Sequence, residues 1–345
     1  MSRVSNNQNI VSFACQTYCA GQKQIVKLLA KNPFSWLPYV LIGSVLVLSS
    51  CTGGSKRISE TPTRGDIKIL VDESFRPLID TEINTFTGIY NYARIKPVYK
   101  AEVDVVNDFM NDSAKVMVTS RKLSDDQVKY LRDTLIIART TTFAYDAVAL
   151  VINRNNADSL MTYNEVKDIF TGKISNWKDI NRKSGLGGIR VIFDNAKSGN
   201  IRYFREKFDF TEQLPSNFYA LNTNKDVIDF VQANKDAIGI VSANWISDKD
   251  DSTSNSFIKK VKIVAVTQPF LDENTFYRPD QGFIYDKSYP FVREVYLISR
   301  ESFSGLGSGF IQWACAEQGQ RIVLKSGLVP ATMPIRLVQI KQQNN

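Results

Sequence analysis

Residues 143–153 read Phe-Ala-Tyr-Asp-Ala-Val-Ala-Leu-Val-Ile-Asn, apolar almost throughout, with Asp146 as the one charge. A strand covered on one face alternates apolar and polar residues. A run without alternation suits a strand covered on both faces. Such a strand belongs in the middle of a layered α/β structure. The surroundings agree. From Gly65 onward, short apolar runs alternate with amphipathic helical patterns. Residues 67–71, 115–118, 188–193, 237–241 and 261–266 read as strands. A helix over 77–86 places Leu78, Ile79, Ile83 and Phe86 on one side. Capping boxes at Ser124/Gln127 and Thr162/Glu165 open two more helices. A helix from Asn200 carries Ile201, Phe204 and Phe208 on one stripe, and another over 310–325 stops at Gly327. Residues 248–256, rich in Asp and Ser, read as a surface loop.

The first fifty residues are of another kind. They carry Arg3, Lys23, Lys27 and Lys31 and no acidic residue, followed by an apolar stretch over 37–48 that contains Pro38, Gly43 and Ser44. That stretch falls short of the about 20 residues a spanning helix needs. A basic flank, a short apolar run and small residues before a cleavage point make a secretory signal. Leu48-Ser49-Ser50-Cys51 resembles a bacterial lipobox, whose cysteine is lipidated and becomes the first residue; the alternative is an uncleaved anchor with an incidental cysteine. The expected organisation is therefore a signal peptide over 1–50 and a polar, lipidated tether over 51–64. The four cations of the signal account for half of the formal charge of +8, and Cys15 and Cys19 belong to it as well. With Cys51 acylated, only Cys315 remains, which excludes an intramolecular disulfide. Cys315 stands between Ala314 and Ala316 in an apolar helical pattern and reads as a small core residue.

The chain contains no histidine. That excludes His-dependent triads, His metal sites and imidazole bases. No nucleophile–base pair, metal-ligand spacing, Walker loop or dinucleotide fingerprint stands out. Neither catalysis, nor a cofactor, nor a metal is expected. Residues 94–100 mix basic and aromatic side chains, but the chain behind the signal is too nearly neutral for a nucleic-acid partner.

Chemistry concentrates instead in three strand-to-helix turns: Asp72-Glu73-Ser74-Phe75, Thr119-Ser120-Arg121, and the segment from Asp194 through Ser198-Gly199-Asn200. The first N–H groups of a helix lack internal partners, and the helix dipole is positive there. In an open α/β sheet such turns lie at the carboxyl ends of the strands, where ligands bind. Together the three could hold one tetrahedral anion without histidine. Each alone is also an ordinary helix cap, and Arg121 alone could be a solvated charge.

Several segments resemble the periplasmic phosphate-binding proteins of ABC importers, within the type 2 periplasmic-binding fold. The most specific is Leu160-Met161-Thr162-Tyr163-Asn164-Glu165-Val166-Lys167-Asp168-Ile169-Phe170-Thr171-Gly172-Lys173-Ile174-Ser175-Asn176-Trp177. The strand at 144–153, Ala237-Ile238-Gly239-Ile240-Val241, Glu317-Gln318-Gly319-Gln320-Arg321-Ile322-Val323 and Gly327-Leu328-Val329-Pro330 match further landmarks. The resemblance spans about 66–330. It implies a two-lobed α/β fold, each lobe a mixed sheet flanked by helices, joined by two crossing strands. Lobe I would comprise 66–143 plus 268–340, and lobe II 144–267. It further implies inorganic phosphate or a similar oxyanion in the interlobe cleft, and delivery to an ABC permease at the envelope, with the lipid on Cys51 holding the chain on the periplasmic or outer face of a bacterial membrane. Carried over residue by residue, the ligand would meet Ser74, Phe75, Ser120, Arg121, Ser198, Gly199 and Asn200.

Two departures stand out. The family's arginine four residues before the serine is here Asp194, and its Gly/Ser-rich second loop is here Tyr99-Lys100-Ala101-Glu102-Val103. A carboxylate about 4 Å from a unit anion, at an effective dielectric of about 20, costs about 4 kcal/mol. Lys100, Lys197 and Arg202 are candidates to compensate, and Asp194 could pair with Arg121. The departures keep a second reading open: a fold relative that has lost phosphate binding and serves as an envelope adaptor or binds another ligand.

Overall fold

The computed structural model describes residues 60–270 and 274–335. The expected signal peptide, Cys51 and most of the tether lie outside these residues. The described residues belong to one compact unit. Their elements, in chain order, are β1 (Gly65–Asp72), α1 (Arg76–Ile89), β2 (Ala93–Lys100), α2 (Glu102–Met110), β3 (Val116–Thr119), α3 (Asp125–Asp133), β4 (Arg139–Asn153), β5 (Leu160–Met161), α4 (Tyr163–Phe170), α5 (Trp177–Ile180), β6 (Arg190–Phe193), α6 (Gly199–Lys207), β7 (Phe218–Ala220), α7 (Asn224–Ala233), β8 (Ala237–Ser242), α8 (Ser252–Lys260), β9 (Val261–Ile263), β10 (Ala265–Thr267), β11 (Phe276–Tyr277), α9 (Gln281–Tyr285), β12 (Val292–Ser299), α10 (Leu306–Ala314), α11 (Glu317–Lys325) and β13 (Val329–Pro330).

The result is a mixed α/β fold. One sheet runs β2-β1-β3-β12-β4-β8-β6-β7, with β9 and β13 also paired to β4. The apolar run sits at its centre, as its lack of alternation requires. β4 pairs antiparallel with β12 through its first half and with β8 through its second. From Phe143 to Asn153 nearly every residue is buried. β1 is parallel to β2 and β3, and β6 is parallel to β7 and β8. Both parallel groups therefore present strand ends followed by turns.

Local chemistry explains the helices. Leu78, Ile79, Ile83 and Phe86 are all buried, as their spacing predicts. The boxes at Ser124/Gln127 and Thr162/Glu165 both form, each side chain bonding the other's backbone. The close fit of α7 on β8 depends on Gly239, where a Cβ would approach methyls of Val227, Val231 and Val151 to within 2.9 Å.

Three expectations are corrected. The single helix over 310–325 is two helices, α10 and α11, broken at Cys315 and Ala316. A Cβ on Gly319 would lie 2.4 Å from the Ala314 backbone, so the two helices meet at a corner too tight for one straight rod. Cys315 is the half-buried C-cap residue of α10 and packs against the core. The loop over 248–256 gives way to helix α8 at Ser252, capped by Asp251, whose carboxylate accepts the Ser254 N–H at 2.6 Å. The strand over 261–266 is two strands: β9 joins the large sheet, and β10 a small one with β5 and β11.

Candidate functional site

The turns after β1, β3, β6 and β8 meet in one buried polar cluster. Its members include Asp72, Glu73, Ser74, Glu102, Thr119, Ser120, Asp146, Asp194, Ser198, Asn200, Asn224, Ser242, Asn244 and Arg293. The local sequence positions each. Asp72 caps the turn after β1, its Oδ1 accepting the Ser74 N–H at 3.1 Å. Ser198 caps α6, its Oγ accepting the Ile201 N–H at 3.4 Å. Asn224 opens α7 and takes a central place. Its N–H and Nδ2 donate to Glu73 Oε2 at 3.2 and 2.7 Å, and its Oδ1 accepts the Ser242 N–H at 3.0 Å.

The predicted residues fare differently. Ser74 is fully buried. Its hydroxyl has no hydrogen-bond partner among the described residues, while its carbonyl accepts from Asn244 Nδ2 at 2.6 Å and Trp245 Nε1 at 3.1 Å. The Phe75 ring lies in the core beneath the Arg293 guanidinium, 4.9 Å from centroid to Cζ. Ser120 joins the cluster and donates its hydroxyl to Glu102 Oε1 at 2.7 Å. Gly199 packs hard against it: a Cβ there would stand 2.8 Å from Asp72 Oδ2, 2.8 Å from Ser120 Oγ and 3.0 Å from Glu102 Oε1. Asn200 donates Nδ2 to Asn224 Oδ1 at 3.3 Å, and its Oδ1 is unpartnered.

Arg121 stays outside. Its N–H donates to Thr119 Oγ1 at 3.3 Å, but its half-exposed side chain makes no hydrogen bond or ion pair among the described residues. The suggested Asp194–Arg121 pair does not form. Asp194 Oδ2 instead accepts from Asn224 Nδ2 at 3.3 Å. Of the suggested compensating cations, Lys100 is taken by Asp108 at 2.6 Å and Lys197 by Asp104 at 2.9 Å. Arg202 does turn inward, to Glu102.

The cation that sequence reasoning missed is Arg293, on β12. It is buried beside Asp146: Nε donates to Asp146 Oδ2 at 3.0 Å, and Nη2 lies 2.8 Å from the same oxygen without hydrogen-bond geometry. Nη1 has no partner. Asp146 also accepts from the Ser242 hydroxyl at 2.9 Å. A lone acid inside an apolar strand was the available signal, because a buried carboxylate demands a cation or several donors.

Electrostatics divide the acids. Burial pushes Asp72 well above the usual carboxylate range, and the Glu102 charge adds to it. Burial pushes Glu73 up to about 7 against the pull of Asn224. Burial also raises Asp194. Burial acts on Glu102 in the same direction, yet the Arg202 guanidinium and the Ser120 hydroxyl hold it below its ordinary value. Among the described residues no group of acids and cysteines is arranged to hold a metal ion. The cluster thus combines unpartnered donors, on Ser74 and Arg293, with unpartnered acceptors, on Asp72, Glu73, Asp194 and Asn200.

In an open α/β sheet, turns at the carboxyl ends of strands that converge on a buried polar cluster are where a ligand binds. The model of the PBP superfamily domain matches residues 58–318, and the chain belongs to that superfamily. The phosphate-binding protein PstS of Staphylococcus aureus (strain USA300) is 24% identical over 285 residues, covering 81% of this chain and 83% of that protein. Among solved structures, a substrate-binding protein of Clostridium perfringens with bound phosphate aligns with a TM-score of 0.65 at 24% identity, over 77% of this chain and all of that one. An ABC-type phosphate transport receptor of Vibrio cholerae aligns with a TM-score of 0.58 at 19% identity, again over 77% of this chain and all of that one.

Proposed function

We propose that this chain is an extracytoplasmic solute-binding protein, lipid-anchored through Cys51, that takes phosphate or a related oxyanion between its parallel-strand turns and hands it to an ABC importer. The two-lobed division at 66–143 plus 268–340 and 144–267 is part of this reading, with the ligand seated between the lobes. So is contact of the ligand with Ser74, Phe75, Ser120, Ser198, Gly199 and Asn200; Arg121 would reach it only by turning inward. The likeness to PstS over most of both chains supports the assignment.

One observation in the site carries it: a buried guanidinium N–H and a buried hydroxyl without partners stand among carboxyl oxygens without partners. A buried donor left unmade costs about 1–3 kcal/mol, more when charged. A ligand that relieves the donors must bring anionic oxygens, and one that also relieves the Asn200 amide oxygen must carry an O–H. Phosphate does so at neutral pH, whereas sulfate carries no proton there. Arg293 would supply the charge that Asp194 removes from the family's usual arginine position.

The test is calorimetric titration of the purified protein with phosphate and with sulfate. Saturable heat with phosphate, and weaker or no heat with sulfate, is expected. Absence of heat and of any melting shift with phosphate and other oxyanions would overturn the reading.

A further inference from the structure

Glu102 opens α2 and is completely buried. Its carboxylate is surrounded by the kind of groups that bind an anion. Oε1 accepts from Thr119 Oγ1 at 3.0 Å, from the Ser120 N–H at 3.2 Å, from the Ser120 hydroxyl at 2.7 Å and from Arg202 Nη2 at 3.1 Å. Oε2 accepts from Arg202 Nε. Arg202 Nη2 also donates to Ser120 Oγ at 3.0 Å, and Gly199 closes the remaining side. The segment bearing Glu102 is fastened to the turn before α6. The Val103 N–H donates to the Lys197 carbonyl at 3.2 Å, and Lys197 pairs with Asp104 at 2.9 Å.

We propose that Glu102 is a tethered occupant of an anion seat formed by Thr119, Ser120, Gly199 and Arg202, and that phosphate enters only by displacing it. Its competition with phosphate rests on the phosphate reading; the seat itself does not. The donors match a tetrahedral oxyanion as well as a carboxylate: one guanidinium fork, two hydroxyls and one backbone N–H. A group held by its own chain competes at a high effective concentration. A free anion must therefore bind the small fraction of molecules whose seat is vacated, and its apparent affinity falls by that fraction. Glu102 would set the concentration at which the protein responds, and exclude anions too weakly held to evict it.

The experiment uses the full-length chain in detergent with two variants. In Glu102→Ala the seat is emptied, and formate or acetate should raise its melting temperature saturably over sodium chloride of equal ionic strength, with no such rise in the parent. Glu102→Ser takes its place should the alanine variant not fold. In Glu102→Gln the anionic competitor is gone, and calorimetry should show phosphate binding at least tenfold tighter than in the parent. A folded cavity variant that ignores formate and acetate overturns the seat. Equal or weaker phosphate binding by Glu102→Gln, where the parent binds, overturns the competition. Formate rescue with no phosphate binding in any form overturns the phosphate reading and upholds the seat. Unchanged phosphate binding without formate rescue does the reverse.

Discussion

Glu82 lies on α1 with no exposed surface, and neither of its carboxyl oxygens has a hydrogen-bond partner. Burial pushes it up to about 9, from 4.5 in an unfolded chain. Because the folded form holds its proton more tightly, this residue's contribution to stability is complete below pH 4.5 and is lost as pH rises toward 9. At pH 7 the loss is on the order of 3 kcal/mol, from the 1.36 kcal/mol carried by each pKa unit. Glu82→Leu should therefore raise the denaturant midpoint at pH 8 and flatten its fall between pH 5 and 9, with little change at pH 4; an unchanged pH profile would refute the assignment. Single residues were also where reading the sequence reached its limit. The departures at Glu102 and Asp194 are visible in the sequence as acids in turns expected to hold an anion, but their partners are not. Arg293 stands 147 residues from Asp146, beside Glu294 at the charged start of an otherwise apolar strand. Buried arginines are rare enough that burial is never the first reading of one.

Elements were more legible, because their signals are local. The capping boxes and the apolar stripes of α1 and α6 involve residues within one or two turns of each other, and they form as read. The corner between α10 and α11 was not legible, since nothing between Phe310 and Lys325 breaks the helical pattern by itself. Its cause is tertiary: Gly319 lets the start of α11 press onto the Ala314 backbone, and Gln320 Nε2 donates to the Ala314 carbonyl at 3.0 Å. On an exposed helix, Gly to Ala stabilises by up to about 1 kcal/mol. Here the sign should reverse. Gly319→Ala forces backbone apart, and a loss of about 1–3 kcal/mol in chemical denaturation is expected. A neutral or stabilising result would show that the corner can relax.

For the molecule as a whole, the α/β layering and the central apolar strand were readable from sequence, and the superfamily match spans them. The convergence of the turns required the topology. Among the described residues no helix is long and apolar enough to cross a membrane; the attachment proposed above is through Cys51. Cys51→Ser should move the protein from the membrane fraction to the soluble one and abolish labelling by a radioactive fatty acid; retention in membranes with undiminished label would refute it. Sheet order also sets a timetable. β12 lies between β3 and β4, yet it is made long after both. Until residue 299 has been synthesised, β3 and the first half of β4 lack the strand that joins them, and contacts so distant in sequence form slowly. The chain thus cannot complete its large sheet until almost all of it has been made, although β1–β3 and β6–β9 can pair among themselves or with the second half of β4 earlier.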